Sequence, residues 1–303
     1  MTQPQAAPAN AYNASENQIE KNEVIFNMSK TAATRAETGR IEALFTRLRH
    51  EGKKALITFI TAGDPDLKTT GQIISRLEES GADIIELGIP FSDPMADGPT
   101  IQASYERAVA KGVHLPDVIS LVKSVREQSQ VPIVLFGYYN PVFSFGLKRF
   151  AVEAKKAGVD GVLIVDLPAE EADELKIELD AVGLDLIFLL TPTSDVSRMK
   201  ITASKASGFI YFVSVTGVTG ARTKLATDIK KYVRMIRKHT DVPVGVGFGI
   251  STPEQAAAVC ADADGVIVGS AIVNIIAGCS GSAERLDKVG RFVASLKKGI
   301  SKA

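Results

Sequence analysis

Cysteine, histidine and unbalanced charge are all scarce in this sequence, and each shortage argues against a class of protein. The 303 residues include two cysteines, Cys260 and Cys279, with neither a C-x-x-C spacing nor a neighbouring histidine, which argues against a disulfide framework and a structural zinc site. Lys and Arg number 35 and Asp and Glu number 35, so nothing recruits nucleic acid or an anionic membrane surface, both of which need a clustered positive excess. Long apolar runs are missing too. Those present, such as 161–165 and 185–190, are strand-sized and fall far short of the roughly 20 residues of a membrane helix. The first residues lack the basic start and apolar middle of a secretory signal, and Glu16, Glu20 and Glu23 argue against an acid-poor transit peptide. The expected location is the cytoplasm.

What is present suits a large core: 45% of residues are hydrophobic and 23% charged. Residues 1–38, rich in Ala, Asn, Gln, Thr and Pro, show no sustained hydrophobic period and are expected to form a disordered N-terminal extension. Ile41, Leu44, Phe45 and Leu48 then recur on one helical face. After that helix, eight strand-sized runs appear at 55–61, 83–88, 132–138, 161–165, 185–190, 208–214, 243–247 and 265–269. Helix-like stretches near 68–80, 116–129, 147–157, 169–182, 194–206, 225–239, 252–260 and 283–298 alternate with them. Strands apolar on both faces and always separated by helices imply a parallel sheet with right-handed crossovers. Eight units close most simply into a single-domain (β/α)₈ TIM barrel over residues 39–303, an extra N-terminal helix preceding it; an open doubly wound sheet is the alternative.

In a barrel of this kind chemistry collects where strands run into the loops that follow them. His50, His114 and His239 fall in helices or at strand starts, and no lysine stands at a strand end. Imidazole catalysis, a His-ligated metal and a Schiff-base lysine therefore lack candidates, and proton transfer is left to carboxylates. Glu86 interrupts the apolar run Ile84-Ile85-Glu86-Leu87. It reads either as a desolvated acid with a raised pKa or as a buried carboxylate satisfied by backbone N–H groups. Asp97 lies in a loop stiffened by Pro90, Pro94, Gly98 and Pro99, where a turn or helix-capping role competes with a catalytic one; Asp93 and Asp166, each beside a proline or one residue from it, invite the same choice. Gly247-Phe248-Gly249 and Gly269-Ser270 follow the seventh and eighth strand runs, the usual phosphate position of this fold. The spacing from Gly245 and Gly247 onward does not complete a dinucleotide fingerprint, because Ile250 stands where glycine is needed. Gly217-Val218-Thr219-Gly220 reads as a lid or as an ordinary flexible loop.

The run 59–65 (FITAGDP), the run 86–102 (ELGIPFSDPMADGPTIQ), Gly217-Val218-Thr219-Gly220, GFGIS and GSAIV together make the chain resemble tryptophan synthase α subunits over about 40–300. The resemblance implies a lyase of tryptophan biosynthesis that cleaves indole-3-glycerol phosphate to indole and glyceraldehyde 3-phosphate without a metal or cofactor. It implies Glu86 and Asp97 as the catalytic pair. Phe59, Tyr138, Tyr211 and Phe248 would wall the indole, Gly220, Gly249, Gly269 and Ser270 would hold the phosphate, and Thr219 would close over Asp97. It further implies an α₂β₂ heterotetramer with a β subunit that carries pyridoxal phosphate, met through the face around Pro90, Asp93 and Asn140. The extended amino terminus departs from the family pattern, and Met28 offers a start nearer the first helix. Two other readings compete: a related phosphate-binding barrel, such as indole-glycerol-phosphate synthase or phosphoribosylanthranilate isomerase, and a noncatalytic barrel that only activates the β partner. The synthase would need a strand-end lysine, and the intact acids argue against the noncatalytic form.

Overall fold

The computed structural model of the chain describes residues 39–214, 222–247 and 249–301; the expected extension over 1–38 lies outside them. Eight strands, β1 (Ala55–Thr61), β2 (Ile84–Gly88), β3 (Ile133–Gly137), β4 (Gly161–Ile164), β5 (Asp185–Leu190), β6 (Ile210–Val213), β7 (Val244–Gly247) and β8 (Gly265–Val268), form a closed barrel in chain order. All neighbours are parallel, and β1 pairs with β8 to close the ring. The doubly wound alternative is therefore excluded.

Helix α1 (Arg40–His50) precedes β1. Then α2 (Leu67–Glu79) follows β1, α3 (Pro99–Val109) and α4 (Leu115–Val125) follow β2, and α5 (Tyr139–Phe145) and α6 (Leu147–Ala157) follow β3. A 3₁₀ turn (Ala169–Glu171) and α7 (Asp173–Val182) follow β4, α8 (Val196–Lys205) follows β5, and α9 (Arg222–Arg237) follows β6. After β7 comes α10 (Pro253–Cys260), and after β8 come α11 (Ser270–Ala277) and α12 (Ser282–Ile300). Among the described residues no helix is long and apolar enough to cross a membrane.

The two-residue side-chain period of each strand divides the core. Leu56, Ile60, Ile85 and Leu87 face the helices, whereas Ile57, Phe59, Ile84, Val134, Phe136, Leu163, Ile187 and Ile267 fill the barrel interior. This double burial is why the strands read as unbroken apolar runs. Helix α1 plugs the N-terminal end with Ile41, Leu44, Phe45 and Leu48, and the Phe45 ring lies 6.1 Å from that of Phe209. Buried Asp160 latches the plug: its Oδ1 pairs with Arg40 at 2.9 Å and its Oδ2 with Arg126 at 2.6 Å, while also accepting from Ile133 N at 2.8 Å. With that end closed, access to the interior is from the C-terminal ends of the strands.

Candidate active site

Glu86 occupies the inner face of β2, in register with Phe59 of β1 and Val134 of β3. It is 1% exposed, and its Oε1 has no hydrogen-bond partner among the described residues. Of its two sequence readings, the satisfied structural carboxylate is thus not the one observed for this oxygen. Burial pushes its pKa up to about 8, so near neutral pH the group is mostly a neutral acid able to donate a proton.

Asp97 lies eleven residues on, in the loop between β2 and α3, half-buried at the barrel mouth. It is not the cap of α3, whose N-cap is Gly98 and has no side-chain cap bond. Instead the Tyr138 hydroxyl donates to Asp97 Oδ2 at 2.6 Å and accepts from Ala96 N at 3.0 Å. Gln102, one turn into α3, donates to the carbonyls of Asp97 and Pro94 at 2.8 and 3.3 Å. The loop is therefore held from two sides. Burial raises the Asp97 pKa, the Tyr138 hydrogen bond opposes that rise, and the net direction is upward. Tyr138 is itself raised, first by burial and then by donating to Asp97. Asp93 is exposed beside Ser92, and Asp166 accepts from Tyr139 N at 2.8 Å, which fits the turn-stabilising reading of Asp166.

Aromatic rings line the space between the acids. Phe59 meets Phe136 edge-on at 5.0 Å, and Phe91 lies 5.2 Å from Tyr138. Gly88, one pleat above Glu86, must be glycine: a Cβ there would come within 2.8 Å of the Phe59 ring and 3.0 Å of the Tyr105 ring. Tyr211 lies against Gly247, and desolvation followed by the charges of Glu86 and Asp97 raises its pKa well above the usual value. Tyr105 responds first to burial and then to Asp97, Tyr138 and Glu86. These five groups share one electrostatic environment. On the β7 and β8 side, Gly249 has φ +68°, and Gly269 and Ser270 are the N-cap and first residue of α11, a helix start whose free N–H groups suit an anion. Thr219, Gly220 and Phe248 lie outside the described residues.

Phe136, Gln102 and Tyr105 escape a reading of the sequence. Phe136 sits in an apolar strand run, and Tyr105 stands four residues after Ile101 on the buried face of α3, where an aromatic reads as core filling. Gln102 is the best signalled of the three, being a polar residue within the 86–102 run. Of the expected partner face, Pro90 is buried, and Asp93 and Asn140 are exposed; Asn140 lies in helix α5 rather than in a loop. Met95 and Phe143 stand exposed on the loop and helix that follow β2 and β3. A neutral acid on the floor, a tethered carboxylate at the rim, aromatic walls and a helix start for an anion together suit an aromatic ligand that carries an anionic group.

The family model described as tryptophan synthase alpha chain matches residues 45–301. The chain is 58% identical over 261 residues to the tryptophan synthase alpha chain of Geotalea uraniireducens (strain Rf4), covering 86% of this chain and 97% of that one. It is also 58% identical to the alpha chain of Geobacter sulfurreducens, covering 86% and 98%. The tryptophan synthase subunit alpha of Legionella pneumophila str. Paris superposes with TM-score 0.82 at 39% identity, over 88% of this chain and 99% of that one. A tryptophan synthase chain from M. tuberculosis, in an aminoacrylate-bound form, superposes with TM-score 0.78 at 33% identity, over 86% and 99%.

Proposed function

The chain belongs to the tryptophan synthase alpha chain family and is a carbon–carbon lyase of the alpha reaction, and we propose that Glu86 and Asp97 carry its chemistry. The reaction cleaves indole-3-glycerol phosphate to indole and glyceraldehyde 3-phosphate. The observation that carries the assignment of roles is Glu86, an acid buried inside the barrel with an oxygen that has no partner among the described residues.

Glu86 gives its proton to indole C3, and the ring nitrogen becomes cationic. Ionised Asp97, fixed by Tyr138, accepts the hydrogen bond of that N–H and offsets the charge. The Glu86 carboxylate then takes the proton of the glycerol hydroxyl. As the oxygen forms a carbonyl, the C3 carbon–carbon bond breaks and its electron pair returns to the ring, releasing neutral indole. The proton lost by Glu86 in the first step returns in the second, so the cycle closes with no cofactor. Phe59, Tyr138, Tyr211 and Phe248 wall the ring; Gly220, Gly249, Gly269 and Ser270 hold the phosphate; Thr219 takes part in substrate binding.

A β subunit is the partner in this reading, in an α₂β₂ heterotetramer in the cytoplasm, with pyridoxal phosphate confined to the β subunit. Asp93 and Asn140 lie on its contact face with Pro90 buried behind them, and the exposed apolar side chains of Met95 and Phe143 on the same two connections support that choice. The catalytic barrel comprises residues 39–303 in this reading. The test is to supply indole-3-glycerol phosphate to the purified chain, with and without a β subunit, and to measure indole. Indole in both, with more in the presence of the partner, is expected. No indole in either would overturn the assignment.

A further inference from the structure

Among the described residues, two buried side-chain oxygens or nitrogens have no hydrogen-bond partner: Glu86 Oε1 and the Tyr105 hydroxyl. The first belongs to the acid already discussed. The second is unexpected, because Tyr105 is fully buried and a phenol that only fills volume loses its hydration for nothing that phenylalanine would not provide.

Its position locates the hydroxyl. Tyr105 lies on α3, the helix that begins just after Asp97, and belongs to the cluster inside the barrel together with Phe59, Phe136 and Tyr138. The ring atom that approaches Gly88 on β2 is Cε1, the carbon next to the one bearing the hydroxyl. The polar end of the ring thus reaches the inner face of the barrel one pleat from Glu86, and not the layer between strand and helix. The same ring feels the charges of Asp97, Tyr138 and Glu86. A donor without an acceptor and an acid oxygen without a partner, both counted among the described residues, therefore belong to the same inner region of the barrel, about one pleat apart along β2.

We propose that Tyr105 is a further catalytic residue of the cleavage, whose hydroxyl donates a hydrogen bond to the glycerol oxygen from which Glu86 removes the proton. The proposal rests on the function assigned above. The phenol keeps its own proton throughout. It stabilises the partial negative charge on that oxygen while the proton passes to Glu86 and the bond pair passes to the ring, and the hydrogen bond weakens once the product carbonyl is formed. A fixed donor aimed at developing charge acts on the transition state more than on the ground state. Its burial among neighbouring carboxylates favours the neutral phenol, which keeps it a donor.

The test is Tyr105→Phe in the full chain, measured beside the parent. The expected result is a fall in kcat of about 10- to 100-fold, with thermal stability unchanged or raised because an unpaired buried hydroxyl has been removed. Affinity for indole-3-propanol phosphate, which lacks both chain hydroxyls, should match the parent's. A kcat within twofold of the parent would overturn the proposal. So would a loss of several degrees of stability or a parallel loss of affinity for the dehydroxylated analogue, since either would make the hydroxyl structural. If the parent itself released no indole, the functional assignment would fail first, and the analogue affinities would show that separately.

Discussion

Replacing Glu86 with glutamine changes stability in a direction opposite to that of most buried substitutions, and the pH dependence identifies the cause. In the unfolded chain Glu86 ionises near its ordinary value of 4.5, whereas burial in the barrel holds it un-ionised up to about 8. Between these values the unfolded state binds fewer protons than the folded state, so folding stability falls as pH rises. Below 4.5 both states are protonated and the burial cost of the charge is absent; above 8 it is complete. At about 1.4 kcal/mol per pH unit, the penalty is roughly 3 kcal/mol at pH 7 and roughly 5 kcal/mol at pH 9. Glu86→Gln keeps a neutral polar group of similar shape and abolishes the titration. Urea unfolding of parent and variant from pH 4.5 to pH 9 is the assay, with the slope of stability on urea serving as a check that the same surface is exposed. The variant's advantage should be small at pH 4.5, widen steadily up to about pH 8 and level off at several kcal/mol by pH 9. A difference that does not vary with pH would refute the claim that Glu86 is held neutral by burial.

Asp97→Asn should reduce indole release by at least about 100-fold, because the amide oxygen still accepts the N–H bond but supplies no charge; near-normal turnover would make Asp97 a loop residue only. Tyr138→Phe removes the donor that opposes the rise of the Asp97 pKa, so the acidic limb of the kcat/KM profile should move to higher pH, and an unmoved limb would contradict that link. Gly88→Ala places a methyl group against Phe59 and Tyr105 and should cost about 1–3 kcal/mol of stability together with activity, as read by urea unfolding and indole assay. A chain shortened to start at Met28 should match the full chain in melting temperature and indole formation, and a loss of several degrees would make the first residues part of the working structure.

The strands were legible because a parallel barrel buries both of their faces, leaving apolar runs with glycine or proline at their ends; the observed bounds differ from the runs by a residue or two. Helix α5 was not legible. Of its residues Val142 alone is buried, so it carries no apolar stripe, and Asn140 read as a loop residue. Glu86 stood out as one acid in an apolar strand. Asp97 did not stand out on physical grounds, since a proline-flanked aspartate is commonly a turn former, and its loop motif rather than its chemistry singled it out. Tyr105 was silent because helical spacing cannot tell a core aromatic from one whose hydroxyl enters a site.

The central claim is that a neutral Glu86 supplies and then recovers the proton that cleaves the substrate. It is tested most directly by single-turnover cleavage of indole-3-glycerol phosphate by the parent and by Glu86→Gln, both at pH 7 and saturated with β subunit, after binding of indole-3-propanol phosphate has shown that the variant's site is intact. The account predicts unchanged analogue binding and a loss of at least about 1,000-fold in the cleavage rate. A variant that binds the analogue normally and cleaves the substrate within tenfold of the parent would contradict it.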